Sequence, residues 1–266
     1  MSIALPKNSA KMKDWSWDNY VPFFDYLEDL DLSSSNVDEW MKYWSDLSEL
    51  IGEVGTSVYI STTVDTTDEE AKARYHKFLE EISENVSSRN QKLKIKFLES
   101  GLSPDNFEIP LRGMKSEVGL FSEKNLPLLT SDAKLSKEYD AVIGSQTVRW
   151  EGEEVTLTQL SPVMLKTDRK NREKAWKMAA KRRLEDRQSI NEIWIKILKT
   201  RMSIAKNSGY GDYRAWRWEY LKRFDYTPED CLTFHRSIEK VIVPLADKLL
   251  KNRKEALGLE KLSLGI

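Results

Sequence analysis

The chain has 266 residues, with 42 Lys and Arg against 43 Asp and Glu and a formal net charge of -1. That balance offers no global attraction for nucleic acid, and no apolar run approaches the ~18 residues of a membrane span, so neither partner is expected. The lone cysteine, Cys231, rules out an internal disulfide and fits a reducing cytoplasm, while a 40 % apolar share with nine Trp is ample for a core.

Met1 to Leu5 is too short an apolar stretch for a secretory signal, and Pro6 follows it at once. Residues 1–35 are aromatic and acidic, with Trp15, Trp17, Tyr20, Phe23, Phe24 and Tyr26, and read as a strap across a neighbouring surface. Over 36–60, Trp40, Trp44, Leu47, Ile51, Val54 and Val58 recur at spacings of three and four, which predicts a helix with one apolar face. Thr67 followed by Asp68, Glu69 and Glu70 is a capping-box pattern, and the stripe Tyr75, Phe78, Ile82, Leu93 and Phe97 predicts a helix over 68–99. Gly101 to Pro110 breaks that pattern, and 111–145 reads as short helices and turns. The period then changes. Thr147 to Trp150 and Val155 to Leu157 flank Glu151-Gly152, so a small hairpin is expected near 147–157.

From Asp168 a helical pattern runs to 207 through Trp176, Leu184, Ile193, Trp194, Ile197 and Ala205, and Gly209 ends it. Thr227-Pro228-Glu229-Asp230 opens the last helix, 228–252, with a Thr cap, Pro in the first turn and acids at the positive dipole end. Leu232, Phe234, Ile238, Val241, Ile242, Leu245 and Leu249 form its expected buried side, and Pro244 predicts a kink. Apolar residues continue through Leu262 and Leu264 to Ile266, a weak sign of truncation.

Chemistry is limited by the histidines. Only His76 and His235 exist, and neither lies in H-E-x-x-H, where two histidines one turn apart bind zinc and the glutamate acts as base. Cys231, His235 and Glu239 repeat every four residues, yet one regular helix does not readily complete a tetrahedral site, and an ordinary structural role is the better account. The basic run from Lys166 to Arg187 is interrupted by Asp168, Glu173, Glu185 and Asp186, which favours a solvated face over a phosphate surface. The aromatic cluster from Tyr210 to Tyr226 carries Arg214, Arg217 and Arg223 among its rings. Tyr210, Tyr213, Arg214 and Arg217 are candidate peptide-groove residues, through stacking and carboxylate contacts. A dense interhelical core with snorkelling arginines is the favoured alternative.

Several ordered stretches carry a resemblance. They are Thr63 to Asp68, Phe121 to Leu128, Trp150 to Leu157, Asp168 to Trp176, Tyr210 to Arg214 and Arg223 to Asp230. Together they resemble the oligoendopeptidase F branch of the thimet-oligopeptidase-like M3 zinc peptidases, over roughly the first half of such a protein. The resemblance implies a mainly α, clam-like helical peptidase with a long cleft. Residues 1–145 would form an amino-terminal cleft wall or lid. Residues 146–266 would form the hairpin and the start of the helical peptidase domain, incomplete at its carboxy end. It also implies short peptides as substrates, zinc in the complete enzyme and none in this chain, and a missing carboxy-terminal catalytic half or separate catalytic chain as partner. Where the family continues into a Trp-Asp segment, this sequence has Leu262 to Ile266. No catalytic or metal residue carries over. The other reading is an independent helical peptide-binding or scaffold protein without enzymatic activity.

Overall fold

The computed structural model describes residues 3–262; the end of the apolar carboxy-terminal run, from 263 to Ile266, lies outside the described residues. The protein is mainly helical. In chain order it comprises α1 (Trp17–Asp29), α2 (Val37–Val64), α3 (Glu69–Lys77), a π-helical turn (Phe78–Ser83), α4 (Glu84–Glu99), α5 (Glu108–Leu120) and α6 (Leu126–Gly144). The hairpin β1 (Thr147–Trp150) and β2 (Glu153–Thr156) follows, then the short α7 (Leu157–Leu160), α8 (Arg169–Glu185), α9 (Arg187–Asn207), α10 (Tyr213–Tyr220) and α11 (Pro228–Ala256).

Two units divide the chain. The first extends to Ala141 and resumes over Ile193–Lys222; the second comprises Val142–Glu192 and the residues from Arg223 onward.

The core of the first unit grows from the α2 stripe. Val37, Trp40, Trp44, Leu47, Ile51 and Val54 are buried together with Tyr20, Phe23, Phe24 and Leu27 of α1 and with Leu93 and Phe97 of α4. The Trp40 indole N–H donates to the Leu27 carbonyl at 2.9 Å, so burial of the ring leaves no donor unpaired. The amino-terminal aromatics therefore belong to a core helix and not to a strap. The Ser16 N–H donates to the Asn19 side chain at 3.0 Å and starts that helix. Arg89 of α4 ties α1 to α4 through ion pairs with Asp25 and Glu28, and its guanidinium carbon lies 5.7 Å from the Phe24 ring centre.

The cap of α3 is Asp68, one residue later than expected. Its carboxylate accepts from the Ala71 N–H at 2.9 Å, while Thr67 donates its own hydroxyl to Asp65 at 2.6 Å. The predicted 68–99 helix continues unbroken but takes a wider π turn at Phe78–Ser83. That turn puts the Phe78 ring against Gly55 of α2, where an added Cβ would lie 2.9 Å from the ring. Gly52, three residues earlier, has nothing within 4 Å of its added Cβ. Gly52→Ala is thus expected to stabilise the chain by about 0.5–1 kcal/mol through helix propensity. Gly55→Ala should lose about 1 kcal/mol net, because overpacking outweighs the same gain. Urea denaturation of the pair checks the opposite signs, and stabilisation by both would contradict the Phe78 contact.

Downstream, α6 is one 19-residue helix where short helices and turns were expected; Pro127 sits in its first turn, where a missing N–H costs nothing.

In the second unit, the hairpin pairs Thr147 with Thr156 and Trp150 with Glu153. Its two-residue turn has φ of 52° at Glu151 and 95° at Gly152, the left-handed geometry that matches strand twist. Trp150, Leu160, Val163 and Ala175 form the core here, and Lys174 lies 5.0 Å over the Trp150 ring. The pattern read as one helix over 168–207 divides at Asp186, which accepts from Arg182 at 2.6 Å and from Gln146 at 2.9 Å. Within it, Trp176, Leu184 and Trp194 are exposed, and the buried positions are Ala175, Ile193, Ile197, Ile204 and Ala205.

Helix α11 starts as expected. Thr227 and Asp230 form a reciprocal cap, and the helix runs on through Pro244. Its apolar side, however, is uncovered. No residue of α11 is buried, and Phe234, Val241, Ile242, Leu245 and Leu249 are all exposed. These residues were expected to be buried, but among the described residues nothing packs over them.

Candidate functional site

The candidate peptide-groove residues converge on one corner of the first unit. Helix α9 ends in a Schellman arrangement. Gly209, at φ 79°, donates to Lys206, and the Tyr210 N–H reaches back to the Ala205 carbonyl at 2.9 Å. Asp212 then caps α10 by accepting from the Ala215 N–H at 2.8 Å. Tyr213, Trp216 and Tyr220 stand three and four residues apart, so they share a face and stack in series. Ring centres are 5.4 Å apart for Tyr213 and Trp216 and 5.0 Å for Trp216 and Tyr220.

A polar hub fixes the middle ring. Ser208 accepts from the Trp216 indole at 3.2 Å and from Asn125 at 2.9 Å, and its hydroxyl donates to the Leu120 carbonyl at 2.7 Å. Asn125 is buried, donates also to the Ile204 carbonyl at 3.1 Å and accepts from Asn207 at 3.0 Å. Every hydrogen-bonding position of the Ser208 hydroxyl is thereby used, which makes the hub rigid.

Arginines frame the stack. Arg201 pairs with Asp132 through two nitrogens, at 2.8 and 3.3 Å, and its guanidinium lies 5.5 Å from the Tyr213 ring centre. Arg217 lies 4.6 Å from the Tyr220 ring centre. Burial raises the Tyr213 phenol above its ordinary range although Arg201 and Arg217 act against it, so the ring stays a neutral donor at neutral pH. Arg214 is exposed on the same helix. Trp216 is therefore a core residue, while Tyr220, Arg214 and Arg217 remain available at the edge. Sequence had not picked Ser208 or Asn125; a Ser just before the helix-ending Gly209 was the only signal.

Beside the stack lies a cavity of about 490 Å3 lined by Trp216, Tyr220, Phe121, Leu129, Glu117 and Lys94, among others. Glu117 holds both Lys94 and Lys222 at 2.6 Å. Burial raises its carboxyl, but hydrogen bonds from Lys222 and Lys94 outweigh that and leave it below the usual range.

Three solved structures share the fold of nearly the whole chain. PZ peptidase A, solved with an inhibitor, has a TM-score of 0.83 at 25 % identity and covers 99 % of this chain and 47 % of its own. A structure assigned to oligoendopeptidase F, solved at 3.1 Å, gives 0.83 at 23 % identity, over 93 % of this chain and 45 % of its own. Another so assigned, from Bacillus anthracis str. Ames, gives 0.80 at 22 % identity, over 98 % and 48 %. Residues 163–264 match the family model of peptidase family M3. The chain resembles part of an M3-family oligoendopeptidase F-like peptidase. This M3-like chain spans about half the length of the structures it matches. No curated protein matches it.

The remaining chemical candidates of the M3-like chain are spent or exposed. Cys231 is half-buried, while His235 and Glu239 are exposed along α11. Among the described residues no group of three or more His, Cys, Asp or Glu is placed to hold a metal ion. The donor set does not fit the catalytic zinc of such a peptidase, which takes three protein ligands and an open position. Within the basic run of α8, Lys177 pairs with Glu173 at 2.7 Å and Arg182 with Asp186 at 2.6 Å. Arg172 donates to the carbonyls of Lys166 and Thr167. No helix among the described residues is long and apolar enough to cross a membrane.

Proposed function

We propose that the chain is the non-catalytic amino-terminal portion of a cytoplasmic zinc-dependent oligopeptide endopeptidase. It forms part of the peptide cleft, and zinc chemistry is supplied by a downstream region or a separate chain. One observation carries the reading: the fold matches PZ peptidase A over 99 % of this chain but only 47 % of that one, and no H-E-x-x-H occurs here. The uncovered apolar side of α11 supports it, since an exposed contiguous apolar face favours association. In this reading Tyr210, Tyr213, Arg214 and Arg217 flank the peptide, the tyrosines by stacking and the arginines by carboxylate contacts.

Mass spectrometry of the intact source complex, with sequencing of the adjoining coding region, tests the assignment. An H-E-x-x-H motif on an associated polypeptide or in the same reading frame is expected. In the assembled enzyme, Arg217→Ala should raise KM by roughly fivefold with a smaller change in kcat, as for a group that binds ground state and transition state alike. A compact monomer with no such partner or motif would favour an independent helical peptide-binding protein.

A further inference from the structure

The first unit holds another cavity, of about 410 Å3, whose wall includes Lys72, Tyr75, His76, Lys134, Leu135 and Lys137. Helices α3 and α6 and the end of α2 enclose it. Its volume falls in the ~300–1,000 Å3 range of small-molecule sites. The π-helical turn begins two residues after His76, and such turns recur at functional sites.

The charges around this cavity are unequally exposed. Each lysine is the covered member of its ion pair: Lys134 is 29 % exposed against 56 % for Glu80, and Lys137 11 % against 47 % for Asp140. Lys72 stands in the same relation to Glu69. Solvent screens the outward carboxylates more than the ammonium groups they pair with, although the Asp140 charge still reaches Tyr75 in the wall. Lys137 is held over the Tyr59 ring, its nitrogen 3.4 Å from the ring centre, and this fixes one of the cations. Glu138 and Asp140 also line the cavity, at exposed positions. Their charge disfavours a polyanion and leaves room for a single negative group.

We propose that this cavity binds a small organic carboxylate, its head group meeting Lys72, Lys134 and Lys137 and its apolar body lying against Tyr75 and Leu135. The site is independent of the peptidase reading. A reporter is built in. His76 is one of two histidines, and the other, His235, is exposed on α11. Burial lowers the His76 imidazole pKa, with Lys134 and Lys72 acting in the same sense and Glu80 and Glu69 opposing them. A bound anion favours the imidazolium and moves that pKa upward.

The experiment is a titration of the 266-residue chain with benzoate, followed by the imidazole proton resonances, with benzamide as the neutral isostere. Benzoate should shift the His76 signals saturably, leave those of His235 in place and raise the His76 pKa. Benzamide should do neither. Lys134→Gln and Lys137→Gln should each weaken benzoate by roughly tenfold, the loss of one charge-assisted contact. Two variants are used so that a folding defect in one, seen in its thermal midpoint, leaves the other to decide. Absence of a saturable His76 response, an equal response to benzamide, or unchanged affinity in a folded lysine variant overturns the proposal. Inorganic phosphate binding more tightly than benzoate overturns the carboxylate assignment.

Discussion

Trp40→Ala is expected to destabilise the first unit by about 3–5 kcal/mol, the range for removing a large aromatic side chain from a packed core. The ring is 1 % exposed, and it packs against Trp44 at 5.2 Å and Phe97 at 6.0 Å between ring centres. Alanine leaves a void between α1, α2 and α4 and strands the Leu27 carbonyl without its indole donor. Trp40→Phe separates the two effects, since it keeps most of the packing and should cost about 1–3 kcal/mol. Urea unfolding followed by far-UV circular dichroism avoids the altered tryptophan signal. A loss below about 1 kcal/mol for the alanine variant would refute the assignment of Trp40 to the core.

The second large effect is chemical. The purified chain is expected to show no chelator-sensitive cleavage of short peptides, whereas an assembly that includes an H-E-x-x-H segment should hydrolyse them. The argument concerns ligands. Catalytic zinc activates water through three protein donors with one position open. Here His235 shares one helical stripe with Cys231 and Glu239, and the sequence offers His76 as its only other imidazole. Stoichiometric zinc in the purified chain, together with chelator-sensitive hydrolysis that survives removal of contaminants, would refute it.

How far the sequence could be followed depended on whether a signal was local. The Thr227-Pro228-Glu229-Asp230 start of α11 and the Glu151-Gly152 turn were legible because each is completed by residues within one or two turns. The start of α1 was missed because Pro22 and a crowd of aromatics masked its period, although Ser16 and Asn19 supply the cap. The cap of α3 slipped by one residue because Asp65 captures Thr67, a competition that depends on loop geometry. At the candidate site, the sequence showed an aromatic cluster from Tyr210 to Tyr226 with arginines among its rings. It could not show that Ser208 and Asn125 anchor Trp216 in a core, because Asn125 comes from a distant segment. On α11 the apolar period predicted a buried side that the described residues do not cover, because spacing carries no information on what packs against it.

The discontinuity of the first unit has a consequence for synthesis. Its hub joins Leu120 and Asn125 to Ile204 and Ser208, across sequence separations of 79 to 88 residues. Residues Val142–Glu192 of the other unit lie between. A nascent chain can close the α1–α2–α4 core early, because those contacts are nearer in sequence. The α5 and α6 surfaces that receive α9 and α10 must wait until the Ile193–Lys222 segment has left the ribosome. During that interval Leu120 and Asn125 stand open to water. A translational pause before residue 193 would therefore lengthen the exposure of the nascent chain to chaperones and proteases.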